Sequence, residues 1–127
     1  SGEKPALPPV PLFNDNDEKN LSNVSAYVVH TRDIINIPDV YETEGFDFEG
    51  TKKFDCSTGY RTKSMIVIPM RDHEDTVIGV LQLLNKHDEN EEVITFTKED
   101  EQLIASMASQ AAISITNNRL IEGLENL

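Results

Sequence analysis

Two apolar runs separated by a short charged turn constrain this chain more than any other feature. Ser64–Met70, with Met65, Ile66, Val67 and Ile68 in succession, is followed by Arg71-Asp72-His73-Glu74-Asp75 and then by Thr76–Leu84. Apolar, β-branched runs of this length around a polar turn predict an antiparallel hairpin. Gly79 weakens the second strand locally and permits close backbone approach. Helical patterns lie on both sides. Leu21, Val24, Tyr27 and Val28 recur at helical spacing, so Leu21–His30 reads as a short helix capped by Asn20 or Ser22. Beyond the hairpin, Thr97 followed by Asp100 and Glu101 has the character of a capping box, with acids at the positive end of a helix.

The helix that Thr97 opens is expected to run over residues 97–125, roughly 42 Å at 1.5 Å per residue. Leu103, Ile104, Met107, Ala108, Ala111 and Ile115 form one stripe, and Ile113, Leu120, Leu124 and Leu127 continue near a 3.5-residue period. That is longer than a small domain needs for its own core. The remaining elements are short. Ile34–Ile37 is a brief strand stopped by Pro38, and Asp39–Thr51 is a loop carrying Tyr41, Phe46 and Phe48, with room for a helical turn. His87–Glu92 is an acidic loop, and Val93–Phe96 a short strand or extended lead into the long helix. Pro5, Pro8, Pro9 and Pro11 predict an extended start, with a short edge strand at Val10, Leu12 and Phe13 and a turn at Asn14-Asp15-Asn16-Asp17. The organisation is thus a Pro-rich, acidic leading segment over 1–20 and one domain over 21–127. Hairpin strands with helices before and after imply an α/β (α+β) fold with an antiparallel sheet.

Composition narrows the function classes. The chain has 127 residues, enough for one core, and a net charge of −12. A nucleic-acid backbone or an anionic membrane surface would be repelled as a main partner. The longest apolar runs are too short to span a bilayer, and the start has no signal-peptide core. One cysteine, Cys56, excludes an internal disulfide framework, so the expected setting is reducing and cytoplasmic. His30, His73 and His87 are scattered, and Asp88-Glu89-Asn90-Glu91-Glu92 lacks the glycine and alternation of a calcium loop, so no metal is expected. No nucleophile elbow or phosphate-binding glycine loop is present in the sequence, which leaves catalysis without a constellation.

Three segments carry a family resemblance. They are Asn36-Ile37-Pro38-Asp39-Val40-Tyr41; Asp55-Cys56-Ser57-Thr58-Gly59-Tyr60-Arg61-Thr62-Lys63-Ser64; and Ile78–Lys86 followed by Phe96 and Asp100-Glu101. Together they resemble the GAF domains of cyclic-nucleotide phosphodiesterases and related adenylate cyclases, whose signature is Asn-Lys, a variable gap, Phe, three residues and Asp-Glu. Asn85, Lys86, Phe96, Asp100 and Glu101 supply it here. The resemblance implies an antiparallel sheet of about six strands, one face on terminal helices and the other bearing a ligand pocket. It also implies that the first long helix and first strands, which normally precede the point matched by Leu21, are missing and leave the pocket floor incomplete.

What the resemblance implies for residues is specific. Asp55, Thr58 and Thr62 match Asp-x-x-Thr-Gly-x-x-Thr, positions that meet the base and the cyclic phosphate-ribose in nucleotide-bound relatives. Hydroxyls and N–H groups at a helix start suit a phosphate, and a carboxylate accepts from a purine. Gln82 matches a position near the base, and Val24 and Ser25 a position where backbone N–H groups meet the ligand. A polar turn with Thr caps and a needed glycine is the alternative. Lys86 and Asp100 are expected to pair and fasten a strand end to the last helix, with Phe96 in the core. Arg61 and Lys63 alternate with Thr62 and are expected to face solvent. Tyr41, Phe46, Phe48 and Phe54 offer either a stacking lid or ordinary loop packing. Cys56 reads as an unreactive thiol, since one cysteine cannot both attack and be resolved.

Three functions follow from these readings. The first is a regulatory sensor that binds cAMP or cGMP without a resident cofactor and relays the signal through its C-terminal helix to an output domain. The second is a GAF domain kept for homodimerisation and relay, with no nucleotide. The third is a GAF domain for another small molecule or a redox or light cofactor.

Overall fold

In the computed structural model, residues 11–125 are described, with side chains up to Asn118. The expectations placed on Pro5, Pro8, Pro9 and Val10, and on the side chains of Leu120, Leu124 and Leu127, lie outside the described residues. The elements, in chain order, are α1 (Val24–Thr31), β1 (Ile35–Ile37), a 3-10 turn (Val40–Glu42), α2 (Glu49–Thr58), β2 (Met65–Arg71), β3 (Val77–Leu84), β4 (Lys86–His87), β5 (Val93–Ile94) and α3 (Lys98–Glu125). It is a mixed α/β fold with antiparallel strands and a long C-terminal helix, as the sequence predicted.

The hairpin forms as expected. β2 pairs with β3 from Met65↔Leu84 to Arg71↔Val77, with an irregularity at Met70/Arg71, and β1 pairs with the other edge of β2 at Ile35↔Val67. The order β1-β2-β3 makes a three-stranded sheet, and β4-β5 a separate two-stranded one. This is five strands among the described residues where about six were expected. The outer edge of β3 has no neighbouring strand among them.

The central strand explains its own composition. Met65, Ile66, Val67 and Ile68 are all buried because both faces of β2 are covered. On one face Met65 and Val67 pack with Val24 and Val28 of α1, Ile37, Val40 and Phe48. On the other, Ile66 and Ile68 pack with Phe96, Ile104 and Ala108. The sheet is therefore sandwiched between α1, with Val40 and Phe48, on one side and α3 on the other, and Phe96 is core as predicted.

Local signals place the helices. α1 begins later than expected: its cap is Asn23, which accepts from the Ser25 and Ala26 N–H groups. Asn20 instead accepts from Ser22 and Asn23 and donates to the Pro11 carbonyl, which leaves Leu21 exposed outside the helix. At α3, the Thr97 N–H donates to Asp100 at 2.7 Å and the Asp100 N–H to the Thr97 hydroxyl at 3.1 Å, the capping box read from sequence. The expected stripe on α3 divides in two. Ile104 and Ala108 are buried on the sheet, while Leu103, Met107, Ala111 and Ile115 are exposed; Ala112, outside the stripe, is also buried. The segment around Phe13 forms a single bridge to Lys19 rather than a strand. β4 takes up His87, so the acidic turn is shorter than predicted. No helix of the described residues is long and apolar enough to cross a membrane.

Candidate functional site

A cavity of about 440 Å³ lies where α1 and α2 begin over the sheet, within the range of small-molecule sites. Its floor is Met65 from β2 with Gln82 and Leu84 from β3. One wall is Asn23, Val24 and Ser25 at the start of α1; the other is Asp47, Phe48, Gly50, Thr51 and Phe54 around the start of α2. Pro11 and Thr62 complete it. Met65 is opposite Leu84, and Val67 opposite Gln82, so these floor residues share the sheet face that α1 covers. A second depression, lined by Lys86–Asn90 and Ile94, is an open surface feature remote from these helix starts.

The two helix starts differ electrically. At α1 the Asn23 side chain occupies the Ser25 and Ala26 N–H groups at 2.9 and 3.3 Å. The Ser25 N–H is thus already satisfied, which removes the backbone contact expected of it. At α2 the cap residue Phe48 makes no side-chain cap bond. Asp47 accepts from the Glu49 N–H at 2.9 Å, and the first backbone bond of the helix is from Lys52 to Phe48. The Gly50 and Thr51 N–H groups are left at the positive end of the helix beside the cavity. The lining residues include one carboxylate, Asp47, and no lysine or arginine.

Asp55, Thr58 and Thr62 occupy other places than a helix start. Asp55 and Thr58 are in the last turn of α2, which ends at Gly59 in the left-handed region with φ +74°. The expectation that these hydroxyls and N–H groups hold a phosphate at a helix start is corrected by that position. Thr58 is exposed, with its hydroxyl on the Phe54 carbonyl, and does not line the cavity. Asp55 is buried and fully engaged inside the protein. Its Oδ1 accepts from the Thr62 hydroxyl at 2.7 Å, and its Oδ2 from the Thr62 N–H at 2.9 Å and the Tyr41 hydroxyl at 2.7 Å. Burial opposes its charge, but these three donors outweigh it and hold the carboxyl below its ordinary range. Thr62 borders the cavity yet has no solvent-accessible surface, so it shapes the wall from behind.

Asn85 supplies the other half of this bracket, a role sequence reasoning assigned only to a motif. It sits in the left-handed region with φ 55°, which Asn tolerates better than most residues. Its Oδ1 accepts from the Lys63 N–H at 2.6 Å and its Nδ2 donates to the Arg61 carbonyl at 2.8 Å. The backbone on both sides of Thr62 is therefore held to the end of β3, while Asp55 holds Thr62 itself. Lys86 pairs with Asp100, and Asn36 of β1 donates to the Phe96 carbonyl at 2.7 Å and to Glu101 at 3.3 Å. The signature residues Asn85, Lys86, Phe96, Asp100 and Glu101 thus fasten elements together away from the cavity.

The aromatic residues divide. Phe48 and Phe54 line the cavity; Phe46 packs edge-on between Tyr27 and Phe48. Tyr41 belongs to the Asp55 bracket, with the Arg61 guanidinium 4.0 Å from its ring centre and Arg61 paired to Asp39. Arg61 and Lys63 are exposed while Thr62 is buried, the alternation expected. Cys56 is exposed on α2 and does not line the cavity. Asn23, Asp47, Gly50, Thr51, Met65 and Leu84 were not singled out from sequence; only the β-strand alternation of Gln82 and Leu84 pointed toward one of them.

The comparisons with known proteins agree with this architecture. The sequence profile of the GAF domain family matches residues 5–115. Over 101 residues the chain is 33% identical to dual 3',5'-cyclic-AMP and -GMP phosphodiesterase 11 of Drosophila melanogaster, a match to 80% of this chain and 6% of that protein. Over 97 residues it is 33% identical to dual 3',5'-cyclic-AMP and -GMP phosphodiesterase 11A of Takifugu rubripes, covering 76% of this chain and 10% of that protein. The chain therefore spans a tenth or less of these relatives. Among solved structures, a type II free methionine-R-sulfoxide reductase from Thermoplasma acidophilum aligns with a TM-score of 0.51 at 27% identity, over 77% of this chain and 60% of that one. The GAF domain of a phosphoenolpyruvate-protein phosphotransferase from Coxiella burnetii aligns at 0.59 and 15% identity, over 89% and 64%, a likeness of fold alone.

Proposed function

The chain belongs to the GAF domain family, a family of regulatory sensor modules, and on that premise we propose that its cavity binds a cyclic nucleotide, cAMP or cGMP. The observation that carries the reading is the start of α2, where Asp47 takes the Glu49 N–H but the Gly50 and Thr51 N–H groups are left over, beside a half-open, mainly apolar cavity. Two free N–H groups at the positive end of a helix favour a phosphate oxygen. A cavity with no lysine or arginine and one carboxylate suits a phosphodiester with a single charge better than a phosphate monoester, which carries about −1.5 to −2 near neutral pH. Phe48 and Phe54 offer faces to a base, and Gln82 and Ser25 its polar edges. Asp55, Thr58 and Thr62 act behind the site, by fixing the end of α2. The 33% identity to dual cyclic-AMP and -GMP phosphodiesterases supports the same ligand class.

In this reading the module spans 21–127 after a leading segment at 1–20, works in the cytoplasm without a resident cofactor, and catalyses nothing itself. Cys56, outside the cavity, supports the last point against the chemistry named for the reductase neighbour. Output passes through α3 to whatever follows it in a longer protein.

The second reading, a dimerising relay with no nucleotide, is favoured by one observation, the exposure of Leu103 and Met107 on α3. Calorimetric titration with cAMP, cGMP and 5'-AMP separates the two. Saturable binding of either cyclic nucleotide, with 5'-AMP at least about tenfold weaker, is the expected result. No heat with either cyclic nucleotide would sink the first reading and leave the second.

A further inference from the structure

Tyr41 joins a buried carboxylate to surface cations. Its hydroxyl donates to Asp55 at 2.7 Å, yet the residue is 39% exposed. The Arg61 guanidinium lies 4.0 Å from the centre of its ring and the Lys52 ammonium 5.6 Å from it, both within cation–π reach. In a chain with 23 acidic residues and 11 Lys and Arg, two cations at one tyrosine oppose the general field. The cluster sits beyond the end of β1, the sheet edge opposite β3.

The flanking sequence gives this tyrosine a charge pattern of its own. Asp39 stands two residues before it, and Glu42 and Glu44 one and three residues after it, both of them exposed. The other tyrosines lack that pattern. Tyr60 lies in a run without acids from Cys56 to Lys63, and Tyr27 is packed edge-on against Phe46. Kinases choose their substrates by such charge patterns. The 3-10 turn Val40–Glu42 that carries Tyr41 is a short surface segment, of the kind that opens locally at low cost.

We propose that Tyr41 is a phosphorylation site, the acceptor for an ATP-dependent, acid-directed protein tyrosine kinase, and that the phosphate unfastens the Asp55 bracket. In the transfer a P–O bond forms at Tyr41 Oη. The bond from the γ-phosphorus to the bridging oxygen breaks, ADP leaves, and the phenolic proton passes to the catalytic carboxylate of the kinase. The product has no proton left for Asp55. It carries about −1.5 to −2 charges in place of a neutral donor. No phosphate fits into the 2.7 Å between Oη and the carboxylate, so the side chain turns outward. Arg61 and Lys52 are placed to receive it there. Arg61, now paired with Asp39, gains a partner with more charge and three acceptor oxygens. Asp55 keeps Thr62 but loses the 3-10 turn, so the turn parts from the end of α2. Thr62 borders the cavity, which makes the phosphate a negative regulator of the ligand site. That last consequence rests on the nucleotide reading; the modification itself does not.

The folded 127-residue chain is incubated with Mg-ATP and the catalytic domain of an acid-directed tyrosine kinase that labels a synthetic peptide of residues 36–47. Mass spectrometry should place one phosphoryl group on Tyr41, and Tyr41→Phe should stay unlabelled with an unchanged circular dichroism spectrum. The purified phosphoprotein should melt several degrees below the parent and exchange its Thr62 amide faster. Its phosphate, followed by phosphorus resonance, should titrate below the ordinary value near 6 and move back up in Arg61→Gln. Label on Tyr27 or Tyr60 without Tyr41, or no label on the folded chain, overturns the site. A phosphorylated Tyr41 with the parent's melting temperature, or a phosphate whose titration ignores Arg61→Gln, overturns the switch. Cyclic-nucleotide affinity, expected to fall about fivefold on phosphorylation, is measured separately. If the unmodified chain binds no nucleotide, the nucleotide reading fails while labelling and melting still decide this one.

Discussion

Asp55 takes both protons that Thr62 can offer, the hydroxyl at 2.7 Å and the N–H at 2.9 Å, across the gap between the end of α2 and the lead into β2. Tyr41 donates to the same carboxylate from the 3-10 turn. Three segments thus converge on one buried charge. Asp55→Ala leaves the two donors of Thr62 buried without an acceptor, which costs about 1–3 kcal/mol for such groups. Thermal unfolding should fall by several degrees. If the cavity binds a cyclic nucleotide, affinity should fall in step with stability and be restored by ligand excess in the folded fraction. An intact melting temperature with binding abolished would instead make Asp55 a direct ligand contact.

Acid should loosen this bracket. The carboxyls of Asp55, Asp75 and Asp100 all titrate below their ordinary value. At Asp75 the cause is Arg32; at Asp100 it is Lys86, then the Thr97 N–H. A carboxyl depressed in the fold contributes stability that is fully present above its unfolded value near 3.9. That contribution is lost as pH falls through the folded value. Urea midpoints should therefore be flat from about pH 7 to 5 and decline below about 4. The decline should be shallower in Asp55→Ala. Tyr41 shifts the other way, because its hydroxyl donates to Asp55, so a smaller loss is expected as pH rises past the ordinary tyrosine range.

Much of this was legible in the sequence, and the reasons are local. The hairpin and α3 have strong periodicity and clear turn or cap chemistry, so Met65–Ile68 and Thr97/Asp100 appear where the residues predict. α2 was not legible. Glu49-Gly50-Thr51-Lys52-Lys53 has no apolar stripe, and only Asp55 of the helix is buried, so nothing in its spacing distinguishes it from a loop. That one omission misplaced the chemistry: Thr58 ends the helix and Thr62 follows it, while the free N–H groups belong to its start. Contacts such as Asn36 to the Phe96 carbonyl, 60 residues apart, are set by tertiary packing that no local pattern encodes.

The geometry around Thr62 can be probed from its other side. Asn85 combines a left-handed backbone with two bonds to the Arg61 and Lys63 backbone. Asn85→Ala forfeits both bonds and places a Cβ-bearing residue without local side-chain support in that region. A loss of about 2–3 kcal/mol is expected from the stranded backbone groups. Asn85→Asp should cost less than alanine, because its oxygen still accepts from Lys63. Equal melting temperatures for the two variants would show that the acceptor half of the bracket contributes nothing.

The start of α2 offers the sharpest separation of ligand chemistry from folding. A proline at the first turn of a helix is tolerated, because the N–H it removes has no intrahelical partner. A side chain at Gly50 meets nothing within 4 Å of an added Cβ, and its φ lies outside the left-handed region. Gly50→Pro should therefore leave thermal stability within about 1 kcal/mol of the parent. It deletes one of the two free N–H groups that the phosphate reading requires. Bonds from such donors to a charged acceptor contribute about 1.5–3 kcal/mol, so cyclic-nucleotide affinity should drop by roughly ten- to a hundredfold. Adenosine, which has no phosphate, should bind both proteins alike. If Gly50→Pro weakens adenosine and cAMP equally, the phosphate is not held at α2, and the two free N–H groups are a property of the fold alone.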